Sequence, residues 1–302
     1  MKRLKELRVN AGYTQERLAE MLDVTQQTIE RWESGKAEPN LQATRDIAVI
    51  FGTSVDNLLE FDSGKAEVLK TNHYHRILGS GQDGFWGHLG VMLPNETKSI
   101  WYPITEQEMT SIDSQAQRTD TGWLCAATLN NRMVLLNVKE IKKITLIDDD
   151  EDQIESDWEL EWDGYQGHSP EIYKALGEHF YGIEDEYEES FSNKLRKFVE
   201  ELVEEHQIDE DKVIEILSLT KIHFIDGTKL SIEIDEQDLC HIVMEAGIDL
   251  PDIFSFDEAD RGRYFYIPPA KVQMIDMPLL KYQEGIERSR REESRNKGGE
   301  GE

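Results

Sequence analysis

The sequence predicts an α+β multidomain protein: an all-α N-terminal domain of five short helices, then a small α+β module present twice, with a helical insert between the copies. Three observations carry this reading. Apolar residues in the first sixty positions recur at helical spacing in five short segments, most of them opened by a capping residue or closed by a glycine. Beyond residue 85 the pattern changes to short alternating strands. Within that later region, matching turns and strands recur at one constant offset in the numbering. A chain of 302 residues accommodates about two to three such domains.

Leu4, Leu7 and Val9 begin the first helix, which stops at Gly12. Thr14 caps a second helix carrying Leu18, Ala19 and Leu22, and a break follows at Asp23-Val24. Thr25 caps a third through Ser34, ended by Gly35. Pro39-Asn40 opens a fourth with Leu41, Ile47, Ala48 and Phe51, and Ser54 starts a last short one near Leu59. Residues 1–61 are thus one domain, and Asp62-Ser63-Gly64-Lys65 opens a linker over 62–84.

The two α+β copies span 85–150 and 219–282. Val91 to Lys98 and Ile222 to Lys229 each read strand, tight turn, strand, and each leads to a helix start, Glu106 to Met109 and Glu236 to Leu239. Asn131 to Leu136 resembles Gly262 to Ile267, and a Val/Ile-x-x-Ile strand follows in both copies, Ile141 to Ile144 and Val272 to Ile275. The step from Thr97 to Thr228 equals the step from Ile144 to Ile275, so one frame aligns both ends of the unit, with a one-residue slip between. Each copy has the size of a small SH3-like or Sm-like barrel. The segment 151–218 begins within the acidic run Asp148 to Asp152 and carries the helical insert. Its stretch Trp158 to Asp163 alternates like a half-buried strand, and helices are expected over Pro170–Phe180, Tyr187–His206 and Asp209–Leu217. The middle helix places Phe191, Leu195, Phe198 and Leu202 on one face, suited to a core or to a dimer seam. Residues 283–302, charged and Gly-rich, read as a disordered tail.

Several function classes drop out. Cys125 and Cys240 share no metal-ligand or redox spacing, which speaks against a disulfide framework or a zinc knuckle. No apolar run reaches the ~18 residues of a membrane helix, and the charged start is no signal peptide, so a cytoplasmic protein without membrane contact is expected. Gly79 to Gly84 matches a dinucleotide fingerprint literally, but it leads into Phe85-Trp86-Gly87 rather than a helix. His73, His75 and His88 read as surface residues near a loop rather than metal ligands, and neither metal nor cofactor is expected. No constellation supplies nucleophile, base and oxyanion donors together, so an enzyme is not expected.

The strongest pattern is Thr14-Gln15-x-x-Leu18-Ala19, then Val24-Thr25-Gln26-Gln27-Thr28-Ile29-x-x-Trp32-Glu33-x-Gly35 and Pro39. Leu18, Ala19, Val24, Ile29 and Trp32 can interlock two helices around a tight turn and leave the outer face of Thr25 to Arg31 polar. This pattern resembles the Cro and phage-repressor type of helix-turn-helix, also called the xenobiotic-response-element type, over about Met1 to Phe61. The resemblance implies that the third helix enters the major groove of double-stranded DNA. Thr25, Gln26, Gln27, Thr28 and Arg31 would then read bases, while Thr14, Gln15, Lys36 and Asn40 hold phosphates. Asp23 departs from the family's usual turn glycine, and aspartate tolerates a left-handed backbone.

Charge distribution qualifies that expectation. The chain has 33 basic and 62 acidic residues, but Met1 to Phe61 carries eight basic against ten acidic, so nearly all of the net −29 lies downstream. A near-neutral reader on an acidic body should be selective and salt-sensitive. The expected function is a transcriptional regulator that binds DNA as a homodimer. Its duplicated module would take a protein or small-molecule effector, or support dimerisation. The alternative is an antitoxin or phage-defence factor whose acidic body binds a basic protein.

Overall fold

Short capped segments of the sequence emerge as α1 (Lys2–Asn10), α2 (Gln15–Leu22), α3 (Gln26–Glu33), α4 (Leu41–Ile50) and α5 (Val55–Leu58). The alternating region follows as β1 (Phe85–Met92), β2 (Ile100–Thr105), α6 (Glu106–Ala116), β3 (Trp123–Ala127), β4 (Arg132–Asn137), a 3-10 turn (Val138–Glu140) and β5 (Lys143–Asp148). Three helices come next, α7 (Pro170–Tyr181), α8 (Asn193–His206) and α9 (Glu210–Leu217). The chain then continues with β6 (Leu219–Phe224), β7 (Lys229–Glu233), α10 (Glu236–Ile248), β8 (Phe254–Glu258), β9 (Arg263–Ile267), a 3-10 turn (Pro269–Lys271), β10 (Val272–Pro278) and α11 (Leu279–Gly298). The computed structural model describes residues 2–53, 55–59, 85–117, 122–182, 191–248, 250–258 and 262–298. The 62–84 linker, with His73, His75 and the Gly79 to Gly84 run, lies outside the described residues, as do Ser54 and the last four positions.

Two units result, Met1–Phe85 with Gly167–Asp209, and Trp86–Gln166 with Glu210–Glu302. In the first, Leu4, Leu7, Leu18, Ala19, Ile29, Trp32, Ile47 and Ile50 form the buried interior. Val9 is not part of it. It follows Leu7 too closely to share the i, i+3 stripe of Leu4 and Leu7, and is 57% exposed. Helices α7 and α8 brace this bundle from far along the chain. The Arg45 guanidinium sits 4.5 Å over the Phe191 ring and 3.8 Å from Glu171. Ser192 Oγ donates to Asp46 Oδ1 at 2.7 Å, and Lys194 Nζ donates to the Met21 carbonyl at 2.9 Å. Ser192 also caps α8, accepting from the Leu195 amide. The expected 151–218 insert is therefore divided: residues 167–209 pack with the N-terminal helices, and α9 stays with the sheets.

Among the described residues the second unit holds three sheets, ordered β2-β1-β5, β3-β4-β10-β6-β7 and β8-β9, with antiparallel pairing of β1 with β5, throughout the five-stranded sheet and of β8 with β9. None closes into a barrel, which corrects the SH3-like or Sm-like expectation: β4 is joined by β10 from the later half, so each half's strands end in open edges or in the other half. Both halves run strand, strand, helix, strand, strand, 3-10 turn, strand. Two core clusters result, one around Leu89, Val91, Ile104 and Val134, the other around Ile222, Ile234, Phe254 and Ile275.

Two expectations fail here for physical reasons. Trp158 to Asp163 forms no strand. Asp157 instead accepts from the Ser99 amide and hydroxyl at 2.5 and 2.9 Å, and the Trp158 ring lies 4.9 Å from Trp101 and 4.8 Å from His88. The alternation served side-chain packing, not a ladder. Residues 283–298 are not a disordered tail but the greater part of helix α11. Gly285 brings α11 onto α10 so closely that a Cβ there would stand 2.0 Å from the Glu236 carbonyl oxygen, and Cys240 Sγ donates to the Tyr282 carbonyl at 3.3 Å. Among the described residues no helix is long and apolar enough to cross a membrane. Gly285→Ala, although it raises helix propensity, should lower the unfolding free energy of the sheet unit by about 2 kcal/mol. Urea denaturation followed by tryptophan fluorescence measures this, and an unchanged midpoint would mean that α11 does not pack on α10.

Candidate nucleic-acid interface

Local backbone chemistry builds the α2-turn-α3 element. Thr14 Oγ1 accepts from the Arg17 amide at 3.0 Å and so starts α2. Asp23 ends it with φ 54° and ψ 44°, the left-handed conformation that its short polar side chain tolerates. Thr25 Oγ1 then accepts from the Thr28 amide at 3.2 Å and starts α3, with the two threonine hydroxyls 2.9 Å apart. Gly35, at φ 72°, takes the left-handed position just beyond α3, and Asn40 Oδ1 accepts from the Ala43 amide at 2.8 Å to open α4.

These caps orient the side chains. Ile29 and Trp32 turn inward and are buried, as are Leu18 and Ala19 of the packed helix α2, while Val24 is half-buried in the turn. Gln26, Gln27, Glu30 and Arg31 lie exposed at i, i+1, i+4 and i+5, one face of α3. Thr25 is exposed at the start of the helix and Thr28 is half-buried beside it. Thr14, Lys36 and Asn40 are exposed, and Gln15 is half-buried. The structure thus gathers the base-reading candidates on one polar face.

A buried carboxylate beneath that face has no counterpart in the sequence reading. Glu33 is 8% exposed and receives Arg8 Nε at 2.5 Å and Arg8 Nη2 at 3.2 Å, with Gln15 Nε2 at 2.8 Å. Arg8 also donates to the Tyr13 carbonyl at 2.7 Å. One carboxylate therefore ties α1, the start of α2 and the end of α3 together. Gln15, expected on a phosphate, has its amide nitrogen engaged in this network. Burial pushes the Glu33 carboxyl up, but the hydrogen bonds from Arg8 and Gln15 and the charges of Arg8 and Lys5 outweigh it, holding the group below the usual range. The only sequence sign was an acidic residue inside an otherwise inward-facing Ile29-Trp32 stripe.

In the sheet unit a cavity of about 380 Å³ is lined by Tyr102, Asn130, Arg132, Lys212, Lys221 and Asp276, among others. Its cationic groups are already matched, Arg132 with Asp276, Lys212 with Glu161 and Lys221 with Glu215. His88 is buried rather than at a surface, with Nε2 3.0 Å from the Gly164 carbonyl, and burial pushes its pKa down.

A helix-turn-helix family model matches residues 4–58. The chain is similar to a prophage-derived, uncharacterized HTH-type transcriptional regulator of Bacillus subtilis, 30% identical over 106 residues, 35% of this chain and 93% of that protein. It is 42% identical over 57 residues to the HTH-type transcriptional activator BcrR of Enterococcus faecalis, 19% of this chain and 28% of that one. It is also 37% identical over 71 residues to the HTH-type transcriptional regulator ImmR of Bacillus subtilis, 24% of this chain and 53% of that protein. No solved structure matches the chain.

Because the folded pKa of Glu33 is depressed, its stabilisation is present above the unfolded carboxyl range and is lost as the pH falls through the folded value. Glu33→Ala, which strands Arg8 in a buried position, should cost the helical unit about 3 kcal/mol at neutral pH. The difference from the parent should shrink on acidification. Thermal melts across pH 3 to 7 check both, and a constant difference would remove Glu33 from the acid response.

Proposed function

The chain belongs to the helix-turn-helix transcriptional regulators through its N-terminal domain, and from that premise we propose that it reads specific DNA sequences through the exposed face of α3. The observation that carries this proposal is the polar face of Gln26, Gln27 and Arg31 on a helix whose inner side is locked by Ile29, Trp32 and Glu33. A helix in a bundle with no ligand has no need of two exposed glutamines at its start. Glutamine can bond both N6 and N7 of adenine, and arginine both O6 and N7 of guanine. Thr25 and Thr28 flank these groups at the same end. Glu30, on the same face, can accept from cytosine N4 and opposes approach to phosphate elsewhere. Thr14, Lys36 and Asn40 lie exposed around the helix as phosphate contacts, joined by whatever hydrogen-bonding capacity Gln15 keeps beyond Glu33.

A single small reader buries limited surface, so two chains bind a twofold-related operator, with half-sites about one helical turn, ~34–36 Å, apart. The sheet unit serves self-association and regulation, and its cavity has the volume of a small-molecule site. The acidic balance of the chain weakens non-specific binding.

Replacing Gln26 or Gln27 by Ala should cost ~1–3 kcal/mol on a selected operator and relax preference at one base position per half-site. Lys36→Ala should weaken operator and scrambled DNA alike and flatten the salt dependence. Titrations of full-length variants on both DNAs decide the matter: glutamine changes that weaken both equally would mean that α3 is not the reading surface.

A further inference from the structure

Strand pairing in the sheet unit repeats with the sequence spacing. Advanced by the step that leads from Ile144 to Ile275, the pairs Gly90–Thr145, Val91–Ile144 and Met92–Lys143 of β1 and β5 become Lys221–Asp276, Ile222–Ile275 and His223–Met274 of β6 and β10. The hairpins repeat as well. Leu124–Leu136 and Ala126–Val134 correspond to Phe254–Ile267 and Phe256–Phe265, the same step relating β4 to β9 and a step shorter by one relating β3 to β8. Their turns carry Asn131 at φ 61° and Gly262 at φ 59°, both left-handed.

One joint links the halves: β10 of the second pairs with β4 of the first, setting Leu135 opposite Ile275 and Met133 opposite Met277. Along β4, Val134 and Leu136 enter the core of the first half, whereas Met133 and Leu135 cross the joint into the core of the second. On β9 the counterparts of the first pair, Phe265 and Ile267, pack into their own core. The counterparts of the crossing pair, Tyr264 and Tyr266, have nothing to enter and are 66% and 68% exposed. Ile253, the counterpart of buried Trp123, is 49% exposed. The other side of the joint shows the same contrast. β10 is buried along its whole length, whereas its counterpart β5 is at best half-buried, and among the described residues no strand lies on its second edge. One half of a repeated joint is filled inside the chain, and both sides of the other half stand open.

We propose that a second copy of this chain fills it: β9 of one chain pairs antiparallel with β5 of another, repeating the β4–β10 joint between molecules. The register carried over from within the chain sets Tyr266 opposite Ile144 and Tyr264 opposite Leu146. Tyrosine against Ile or Leu across antiparallel strands is a favourable pairing, and the contact covers two exposed strand edges. The joint is head-to-tail, and two chains use both of their open edges only by closing on each other. This deepens the pairing of readers proposed above and rests on that reading for its role at an operator.

Sedimentation of the full chain without DNA, at micromolar concentration, tests it. The parent should sediment as an associated species, and Tyr264→Glu/Tyr266→Glu, at positions already exposed, should be monomeric with an unchanged far-ultraviolet circular dichroism spectrum. Chains carrying Tyr266→Cys and chains carrying Ile144→Cys should form a cross-chain disulfide when mixed, and neither should do so alone. A monomeric parent, a tyrosine variant that associates as the parent does, or a mixed sample without cross-link would each overturn the joint. If free chains are monomeric yet two assemble on an operator, the pairing of readers stands and this joint alone falls. If chains associate through this joint but bind no DNA selectively, the joint stands and the functional reading falls.

Discussion

The body of this protein depends on a buried ion pair between two residues far apart in the chain. Arg132 on β4 donates to Asp276 on β10 through Nε at 2.5 Å, and its remaining donors reach the carbonyls of Asp276, Leu219, Glu215 and Ile216 at 2.8 to 3.3 Å. Tyr102 donates its hydroxyl to the other Asp276 oxygen at 2.9 Å, and burial, with the Asp276 charge, raises its pKa so that it keeps that proton. One guanidinium thus gathers β4, β10, the end of α9 and the start of β6. Against an apolar replacement such a pair adds little stability, but leaving either partner unmatched costs about 3–5 kcal/mol. In the observed alignment of β4 on β10 every Arg132 donor is satisfied, so the pair favours that register. Neither counterpart repeats it, since position 145 is threonine and Arg263 pairs instead with Glu258 of its own hairpin.

The helical unit uses the same device at shorter range. Arg8 and Glu33 hold α1 against the end of α3, and Gln15 adds the start of α2. The polar face of α3 is thereby fixed from beneath, while Gln26, Gln27 and Arg31 remain in solvent. A preorganised helix spends less of its binding free energy on ordering itself when it meets DNA.

Much of the helix-turn-helix was legible because its signals are local. Thr14, Thr25 and Asn40 cap helices as their residue type requires, and Asp23 takes the left-handed turn that glycine more often fills. The step from Ile144 to Ile275 in the sequence also relates the β1–β5 pairs to the β6–β10 pairs, since register follows the alternation of apolar side chains. Long-range partners left no such trace. Nothing near Arg45 or Asp46 announces Phe191 or Ser192, so the bracing helices read as part of an insert. Trp158 and Trp162 mimic a strand because rings that pack irregularly can still alternate in sequence. The polar tail becomes a helix through Gly285, whose missing side chain matters only once α10 lies against it. Glu33 was missed because a buried carboxylate is recognisable only with its arginine in view.

On the proposed reading α3 enters the major groove, and the atoms it should touch there are specific. Removing the purine N7 acceptor leaves Watson–Crick pairing and the minor groove intact but deletes one of the two groups that glutamine and arginine grip on each purine. An operator selected from random duplexes by the full-length protein should therefore lose affinity when single adenines or guanines in each half-site are replaced by their 7-deaza analogues. The loss should fall at twofold-related positions and amount to ~1–3 kcal/mol each. Undiminished binding to fully 7-deaza-substituted operator would contradict major-groove reading by this helix.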